Sequence, residues 1–222
     1  PETACIFINR TKELNSEIVF ADQQLKISGS PANATISQGE KIILEKVQSP
    51  LLGNYQLKNI ITVVASCELL GKSGITLSYE TIRLGIEKVV SNTGLKGRWQ
   101  TLSKNPLTIC DTGHNEAGIR EVLAQLKEIR FQKLHFVLGM VNDKEISTIL
   151  LMLPKEATYY FCKADIPRGL PADQLKEAAN KVNLKGTSYF SVKEALAAAR
   201  RAANRDDLVF VGGSTFVVAE VV

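Results

Sequence analysis

The chain has 222 residues, a hydrophobic fraction of 45%, a charged fraction of 23% and a formal net charge of +4. This length suits one large domain or two small ones, and the composition is typical of a soluble globular protein. The sequence shows no apolar run that could span a bilayer, no signal peptide and no dense basic stripe for nucleic acid. We therefore expect a cytoplasmic protein that binds neither membranes nor nucleic acid. Its first residue is Pro1 rather than Met, which indicates a processed or cut chain.

Cysteine and histidine usage limits the redox and metal chemistry of the chain. The four cysteines lie in apolar runs and form no CxxC pair, which favours buried free thiols in a reducing cytoplasm over disulfides or zinc. The chain has only two histidines, too few for a transition-metal site, so we predict no metal ligands. These residues are Cys5, Cys67, Cys110, Cys162, His114 and His135.

The predicted secondary structure changes once within the first 95 residues, from strands to helices. Residues 1–48 lack long helical periodicity and resemble a small β region, with strands predicted at residues 17–22, 24–28 and 41–47. Residues 49–95 carry apolar residues at helical spacing, and two helices are predicted there, near residues 55–70 and 78–89. Ser78 suits the N-cap of the second helix. The abrupt start indicates the rear part of a larger domain, although a flexible start would give a similar pattern. Residues 91–94 form a candidate linker.

Residues 96–222 alternate strands with helices, which predicts an α/β fold with a Rossmann-like, mainly parallel sheet and helices on both faces. The predicted strands lie near residues 99–102, 107–110, 134–138, 157–161, 187–190, 208–211 and 216–221. The predicted helices lie near residues 116–129, 144–152, 172–181 and 192–203. We therefore divide the chain into domains at residues 1–95 and 96–222.

The most informative stretch follows the predicted strand at residues 107–110. Asp111, His114 and Asn115 come directly after it, at the sheet edge where open α/β folds bind their ligands. Each side chain also has a structural interpretation: Asp111 as a turn residue, His114 packed on its own helix, and Asn115 as a helix N-cap. A structural interpretation is favoured for each residue alone, but the clustering of four polar side chains within five residues at a strand end strengthens the case for a functional role.

Weaker signals recur at three other turns. Arg98 follows a glycine, and its planar fork suits phosphate oxygens, although surface arginines are common. Lys144 lies near a helix start, where the dipole disfavours a cation unless an anionic ligand compensates, but solvation of an exposed Asp143-Lys144 pair explains it equally well. Ser214 follows glycines that allow close backbone approach, and an ordinary tight turn would look the same.

The first turn of the predicted helix at residues 55–70 carries two amides. Gln56 and Asn59 lie on one helical face, and amides can donate and accept hydrogen bonds at once, as the edge of adenine requires. A solvated first turn with a cap is the plainer interpretation. The chain contains neither a GxxxxGK[ST] phosphate loop nor a GxGxxG fingerprint, so it lacks a complete phosphate cradle.

Five motifs in order resemble the C-terminal half of folylpolyglutamate synthase/dihydrofolate synthase, in the Mur ligase superfamily. They are Leu52-Gly53-x-Tyr55-Gln56-x-x-Asn59, Gly97-Arg98-Trp99, Asp111-x-x-His114-Asn115, Gly139 with Asp143-Lys144, and Gly213-Ser214. Two places depart from the family pattern. Thr112-Gly113 and Glu116 replace the usual small residues and proline around His-Asn, which could alter the turn, and Glu145 replaces an aspartate with its charge retained.

The resemblance implies an ATP-dependent ligase that adds L-glutamate to dihydropteroate, to folyl-glutamate or to both, through an acyl-phosphate intermediate. The implied partners are ATP, Mg²⁺, L-glutamate and a folate or dihydropteroate, and a monomer is expected. Gln56 and Asn59 would contact adenine, Arg98 would reach the ATP phosphates, and Asp111 would bind the ribose or orient the nucleotide.

For the second half of the reaction, the resemblance implies that His114, Asn115 and Ser214 help to place the incoming glutamate. His114 and Lys144 are the catalytic candidates, with Lys144 near the glutamate or the transferred phosphate. The phosphate loop and the metal ligands of the family lie upstream of this chain. Residues 1–95 would then be the rear part of the central ATPase domain, residues 96–222 the glutamate-ligase domain, and the chain alone inactive.

Two other functions are compatible with the sequence. A free-standing Rossmann-like module could hold a nucleotide or a partner protein without chemistry. A Mur-type ligase that joins an amino acid to a cell-wall precursor would share the reaction. Gln56 modestly favours the folate branch, because the cell-wall branch more often has His-Asn in this motif.

Overall fold

A computed structural model describes residues 3–142 and 146–222 of the chain. The chain divides into two compact units, one formed by residues up to Pro50 together with Tyr55–Asn92, the other by Leu51–Asn54 and Thr93–Val222. Each unit has its own hydrophobic core. The assignment of the first unit to an ATPase domain stays a prediction. Within the described residues, no helix is long and apolar enough to cross a membrane.

The first unit is built on a three-stranded antiparallel sheet. Its strands, in spatial order, are β1 (Leu25–Ser30), β2 (Asn33–Gln38) and β3 (Lys41–Val47). Two helices contribute to the same core, α3 (Gln56–Lys72) and α4 (Tyr79–Glu87). They match the predicted helices, and the predicted Ser78 N-cap is confirmed by a 3.1 Å hydrogen bond from the Thr81 N–H to the Ser78 Oγ. The predicted linker is partly helical, as α5 (Val89–Thr93).

Two predictions for the start of the chain are wrong. Residues 1–48 contain a long helix, α1 (Ala4–Leu14), and the strand predicted at residues 17–22 is replaced by irregular chain and a single helical turn, α2 (Ala21–Gln24). None of the residues of α1 is buried. Helical periodicity in a sequence reflects a buried face, so a helix without one leaves no such pattern.

The second unit contains a six-stranded sheet in the order β4-β5-β9-β6-β7-β8, in which only the β4–β5 pair is antiparallel. The mainly parallel α/β fold predicted for residues 96–222 is therefore confirmed. The strands are β4 (Gln100–Lys104), β5 (Leu107–Cys110), β6 (Leu134–Leu138), β7 (Thr158–Phe161), β8 (Gly186–Ser188) and β9 (Leu208–Gly212).

Helices cover both faces of this sheet because every central strand is apolar on both sides. Phe136 and Leu138 of β6 belong to one core cluster, whereas Val137 between them belongs to the other. Three helices contribute to the first cluster and two to the second. The first three are α6 (Glu116–Leu126), α7 (Ile146–Met152) and α8 (Ala172–Asn180), and the other two are α9 (Val192–Ala202) and α10 (Thr215–Ala219).

The strand predicted at residues 216–221 is wrong, because this segment forms α10. Short apolar runs rich in valine fit a buried strand and a buried helix equally well. The deciding feature is Ser214, whose Oγ accepts a 3.2 Å hydrogen bond from the Phe216 N–H and caps the helix. Val217 and Val218 of this helix are then buried in the second core cluster.

A short segment from early in the chain belongs to the second unit. The side-chain amide of Gln125, on α6, accepts a 2.8 Å hydrogen bond from the Asn54 N–H and donates one of 2.8 Å to the Leu52 carbonyl. The Asn54 side chain also donates to the Glu128 carboxylate, 2.9 Å away at the nearer oxygen. Gln125 is 8% exposed, so these two main-chain bonds satisfy a buried amide.

Candidate functional site

The carboxyl ends of the central strands lie level with one another. Cys110 at the end of β5 is paired with Val211 of β9, and Leu138 at the end of β6 is paired with Gly212. Asp111, Gly139 and Gly213 therefore follow their strands at the same edge of the sheet. Because β4 is antiparallel to β5, its first residue, Gln100, lies opposite Cys110. This register brings Arg98 to the edge that carries Asp111, His114 and Ser214.

Asp111 anchors two loops at this edge. Its Oδ2 accepts a 2.7 Å hydrogen bond from the Trp99 N–H, and its Oδ1 accepts one of 2.8 Å from the Gly113 N–H. Only 2% of the residue is exposed. The carboxylate thus pairs with one buried and one half-buried main-chain N–H group, which is the turn role predicted as one interpretation of the sequence. The ribose contact stays a prediction.

The loop that carries Arg98 is fixed from both sides. The Gly97 N–H donates to the Oε1 of Gln100 over 2.8 Å, and the Gly97 carbonyl accepts a 3.0 Å bond from the Thr112 N–H. Gly97 has φ +74°, and a Cβ there would lie 2.7 Å from Cγ1 of Val218. Only glycine fits this position without displacing its neighbours.

Arg98 itself is half-buried, and within the residues that the structure describes its guanidinium has no hydrogen-bond or ion-pair partner. Trp99, the next residue, has a left-handed φ of +48° and is 6% exposed, with its ring centroid 5.9 Å from that of Phe210. A bulky residue adopts this conformation only where surrounding contacts enforce it. The loop therefore presents a cation on a fixed main chain.

His114 follows the Asp111 turn and is exposed. Its Nδ1 lies 3.1 Å from the Thr112 carbonyl oxygen. A carbonyl can only accept, so this contact requires the proton on Nδ1. In a neutral ring, Nε2 then carries a lone pair and can accept a hydrogen bond or a proton.

Asn115 is the N-cap of α6, as one interpretation of the sequence predicted. Its Oδ1 accepts a 2.8 Å hydrogen bond from the Gly118 N–H. The next residue, Glu116, lies in the first helical turn, where a carboxylate complements the helix dipole. The cap occupies the side-chain oxygen of Asn115, and a contact between its amide group and glutamate stays a prediction.

Ser214 is a buried cap at the end of β9. It is 2% exposed, and besides the bond from Phe216 to its Oγ, its carbonyl accepts from the Val218 N–H over 3.2 Å. Gly213 before it has φ +91°, and a Cβ there would lie 2.6 Å from Cδ1 of Leu138. The turn is thus tightly enclosed. The proton of the Ser214 hydroxyl has no acceptor within the described part of the chain, which leaves it able to donate.

The structure does not assign three of the predicted residues to this group. Lys144, like Asp143 and Glu145, lies outside the described residues. Gln56 and Asn59 belong to the first unit, where the Asn59 Nδ2 donates to the Gln56 Oε1 over 2.8 Å and Gln56 is 6% exposed. Their predicted contact with adenine is untested. The described residues contain no cluster of three His, Cys, Asp or Glu side chains that could hold a metal ion.

Sequence reasoning did not find several residues that shape the site. Gln100 and Thr112 hold the loop backbones around Arg98 and His114, but an isolated Gln or Thr carries no pattern. The sequence also gave no indication of a buried group of polar side chains around His135 of β6. The Nδ1 of His135 lies 2.9 Å from the Tyr160 hydroxyl, and its Nε2 lies 3.4 Å from the Asp207 Oδ2. A neutral ring with its proton on Nε2 satisfies both contacts.

The cysteines are less uniformly buried than expected. Cys110 and Cys162 are buried, whereas Cys5 is exposed and Cys67 is half-buried. Burial, and then the negative charge of Asp111, raises the pKa of the Cys110 thiol to about 12. Burial, and then Glu220, raises the pKa of Cys162 to about 12. Both buried thiols are therefore protonated near neutral pH and inert as nucleophiles.

Comparison with known proteins identifies the family. Residues 97–215 match the family model of the Mur ligase, glutamate ligase domain, and this range is more than half of the chain. The chain belongs to the Mur ligase family. The matched range begins at Gly97 and ends beside Ser214, so it contains Arg98, Asp111 and His114.

Within the Mur ligase family, the chain is similar to relatives and solved structures named as dihydrofolate or folylpolyglutamate synthases. A dihydrofolate synthase/folylpolyglutamate synthase of Escherichia coli is 32% identical over 80% of this chain and 39% of its own length. The structure of E. coli FolC with DHPP and ADP has a TM-score of 0.73 at 30% identity, over 89% of this chain and 45% of that one.

A third comparison is with a bifunctional folylpolyglutamate synthase/dihydrofolate synthase solved with Mn, AMPPNP and L-glutamate. It has a TM-score of 0.77 at 29% identity and covers 96% of this chain and 49% of that one. The chain thus spans less than half the length of each of these three proteins.

Proposed function

We propose that this chain is the C-terminal part of an ATP-dependent ligase that adds L-glutamate to dihydropteroate, to folyl-glutamate or to both, through an acyl phosphate. Two kinds of support favour this function over a non-catalytic module or a cell-wall ligase. Residues 97–215 match the glutamate ligase domain model, and relatives named as dihydrofolate or folylpolyglutamate synthases match the chain over more than its second unit.

The observation that carries the proposal is the grouping of Arg98, His114 and Ser214 at one sheet edge. The register of β5, β9 and β4 and the hydrogen bonds of Asp111 hold the three residues there. The group offers a cation without a described partner, an imidazole lone pair and a hydroxyl proton. These are the groups needed to bind phosphate oxygens, to accept a proton from an amine and to bind a carboxylate.

Each residue then has a task in the proposed reaction. A carboxylate is a poor electrophile, and ATP supplies the phosphoryl group that turns its oxygen into a leaving group. Arg98 would bind phosphate oxygens and offset their charge. His114 would orient the ammonium group of glutamate and accept its proton through Nε2, because only a neutral amine is a nucleophile. Ser214 would donate to a glutamate carboxylate, provided that the turn opens enough to expose its hydroxyl.

The described residues of this unit offer donors that suit a nucleotide phosphate and no cluster that suits a metal ion. The half-buried Arg98 suits a phosphate, whereas no described cluster could hold Mg²⁺. We therefore place the phosphate loop and the metal ligands in a part of the protein outside this chain. Gln56 and Asn59 would contact adenine from the first unit, with their mutual hydrogen bond replaced by bonds to the base. Lys144 would act near the transferred phosphate.

The decisive experiment is an assay of the full-length protein that contains this chain. Purified protein is given ATP, Mg²⁺ and L-glutamate with either dihydropteroate or tetrahydrofolate, and ADP formation is measured. The proposal expects ADP release that needs both glutamate and one of these pteridines. Nucleotide binding without turnover would favour the module, and turnover only with a UDP-linked muramoyl precursor would favour the cell-wall ligase.

The same assay tests whether the 222-residue chain is active alone. We expect no glutamate-dependent ADP formation from it, since the phosphate loop is lacking. The full-length protein at equal concentration is the matched control. Turnover by the chain alone would contradict the placement of the phosphate loop outside it, without affecting the proposed reaction.

A further inference from the structure

The main chain on either side of Arg98 is held by the side chains of Gln100 and Asp111. The N–H of Gly97 donates to Gln100 Oε1 over 2.8 Å, and the N–H of Trp99 donates to Asp111 Oδ2 over 2.7 Å. The N–H groups of the residues before and after the arginine are therefore bound to acceptors whose own positions are set by β4 and β5.

The loop adopts a conformation that would not persist by itself. Gly97 has φ +74° and Trp99 has φ +48°, so two of three consecutive residues lie in or near the left-handed region. Such backbone angles are energetically unfavourable for tryptophan, and they occur where surrounding contacts stabilise them. Here the surroundings include a third bond, from the Thr112 N–H to the Gly97 carbonyl over 3.0 Å, and the burial of the Trp99 ring.

Arginine loses considerable side-chain entropy when it is immobilised, so its binding contribution depends on a main chain that already points it toward the ligand. We propose that Gln100 and Asp111 are positioning residues, which hold the Gly97–Trp99 loop so that Arg98 meets the anionic phosphates of a nucleotide. This inference rests on the proposed role of Arg98. It assigns Gln100 a task in the site, and it assigns Asp111 a task exerted through the main chain rather than on the ribose.

The test is nucleotide affinity in the full-length protein, measured by calorimetry with AMPPNP and Mg²⁺. We compare R98A, Q100L and the double variant R98A/Q100L, because a residue that acts through Arg98 has no effect once Arg98 is gone. We expect R98A and Q100L each to weaken AMPPNP binding roughly tenfold, within the range that small misplacements of binding groups cost. The double variant should bind no more weakly than R98A.

Two controls separate positioning from general damage. Q100E keeps an acceptor oxygen for the Gly97 N–H and should bind AMPPNP within about threefold of wild type, since only the acceptor is required. R201A removes an exposed arginine at the end of α9 and should leave affinity unchanged. Multiplicative losses in the double variant, or a Q100L protein with wild-type affinity, would overturn the proposal.

Amide hydrogen exchange in the nucleotide-free wild-type protein tests the same proposal even if Q100L does not fold. The Gly97 and Trp99 amides should exchange slowly before any ligand is added, and rapid exchange of both would show that the loop is not held. The proposed function can fail separately. Binding of AMPPNP without glutamate-dependent turnover would contradict the proposed ligase function. Independent losses of AMPPNP affinity from R98A and Q100L in an active ligase would contradict only the positioning role.

Discussion

The carbonyl oxygen of Thr112 and the Nδ1 of His114 lie 3.1 Å apart, which fixes the proton of a neutral imidazole on Nδ1. If Nε2 is the working atom, two substitutions should differ. H114N can keep a donor for Thr112 but has no group at Nε2, whereas H114Q can place its amide oxygen near the Nε2 position. We expect H114N to lower kcat/KM for glutamate by roughly 100-fold, as loss of a general base does.

The comparison variant decides between a role in binding and a role in proton transfer. H114Q can accept a hydrogen bond from the glutamate ammonium but cannot take its proton, so we expect a KM for glutamate near wild type with a reduced kcat. Both variants are assayed in the full-length protein with saturating ATP. Equal activity of H114N and the wild type would exclude His114 from the reaction.

The turn before Ser214 should tolerate no side chain. G213A adds a Cβ at φ +91° that would lie 2.6 Å from Cδ1 of Leu138 and 2.7 Å from the Gly139 carbonyl oxygen. We expect the free energy of unfolding to fall by about 3 kcal/mol, from left-handed strain together with overpacking. Gly94 is the matched control, because it has φ +67° with nothing within 4 Å of an added Cβ.

G94A should therefore cost only about 1 kcal/mol, from backbone strain alone. Urea unfolding of the 222-residue chain, followed by the fluorescence of its single tryptophan, Trp99, measures both variants. Similar losses for G213A and G94A would show that the contacts at Gly213 can relax.

The buried Asp207 should make stability depend on pH. Burial raises its pKa, but the N–H of Asn204, then His135 and the N–H of Lys133, lower it more, so the pKa lies below its ordinary value. A carboxyl with a depressed folded-state pKa contributes stability above its unfolded pKa of about 3.9 and loses it as pH falls through the folded value. We expect stability to decline as the pH falls from about 5 through the unfolded value and then through the lower folded-state value.

D207N identifies the source of that decline. The variant cannot offer two acceptor oxygens to the Asn204 and Lys133 N–H groups, so at pH 7 we expect a loss of roughly 1–3 kcal/mol. The difference between wild type and variant should shrink as the pH approaches 3. A constant difference across this range, in urea unfolding at each pH, would mean that Asp207 is not the titrating group.

The four thiols should react with a disulfide reagent in two classes. Cys5 is exposed and should react first at pH 8, with the half-buried Cys67 slower. Cys110 and Cys162 should stay unreacted, because burial blocks access and pKa values of about 12 leave almost no thiolate. Denaturant should release all four. Fast native reaction in a C5S/C67S variant would contradict the burial of the other two.

The sequence predicted the second unit better than the first because its strands carry a clear signal. Residues 107–110 and 134–138 were predicted with the bounds that the structure shows, since continuous apolar runs mark strands that are buried on both faces. The helix at Ala4–Leu14 and the strand at Asn33–Gln38 were missed, because the first buries nothing and the second is largely polar.

The site shows the same limit. Motifs placed Arg98, Asp111 and His114 at strand ends, and the structure brings them to one edge. The partners that hold them, Gln100 and the Thr112 main chain, could not be predicted. Their contribution depends on the register between β4 and β5 and on the backbone angles of the loop. Neither can be deduced from the identity of these residues in a single sequence.

The bonds between Gln125 and the Leu51–Asn54 segment mean that the glutamate-ligase unit is not one uninterrupted stretch of polypeptide. Excising residues 96–222 as a minimal domain would remove a segment that lies more than seventy residues before Gln125, the residue that it binds. The Gln125 amide would lose both of its main-chain partners, and the Glu128 carboxylate would lose its hydrogen bond from Asn54. Anyone who trims this protein for crystallisation or NMR should therefore keep residue 51 onward.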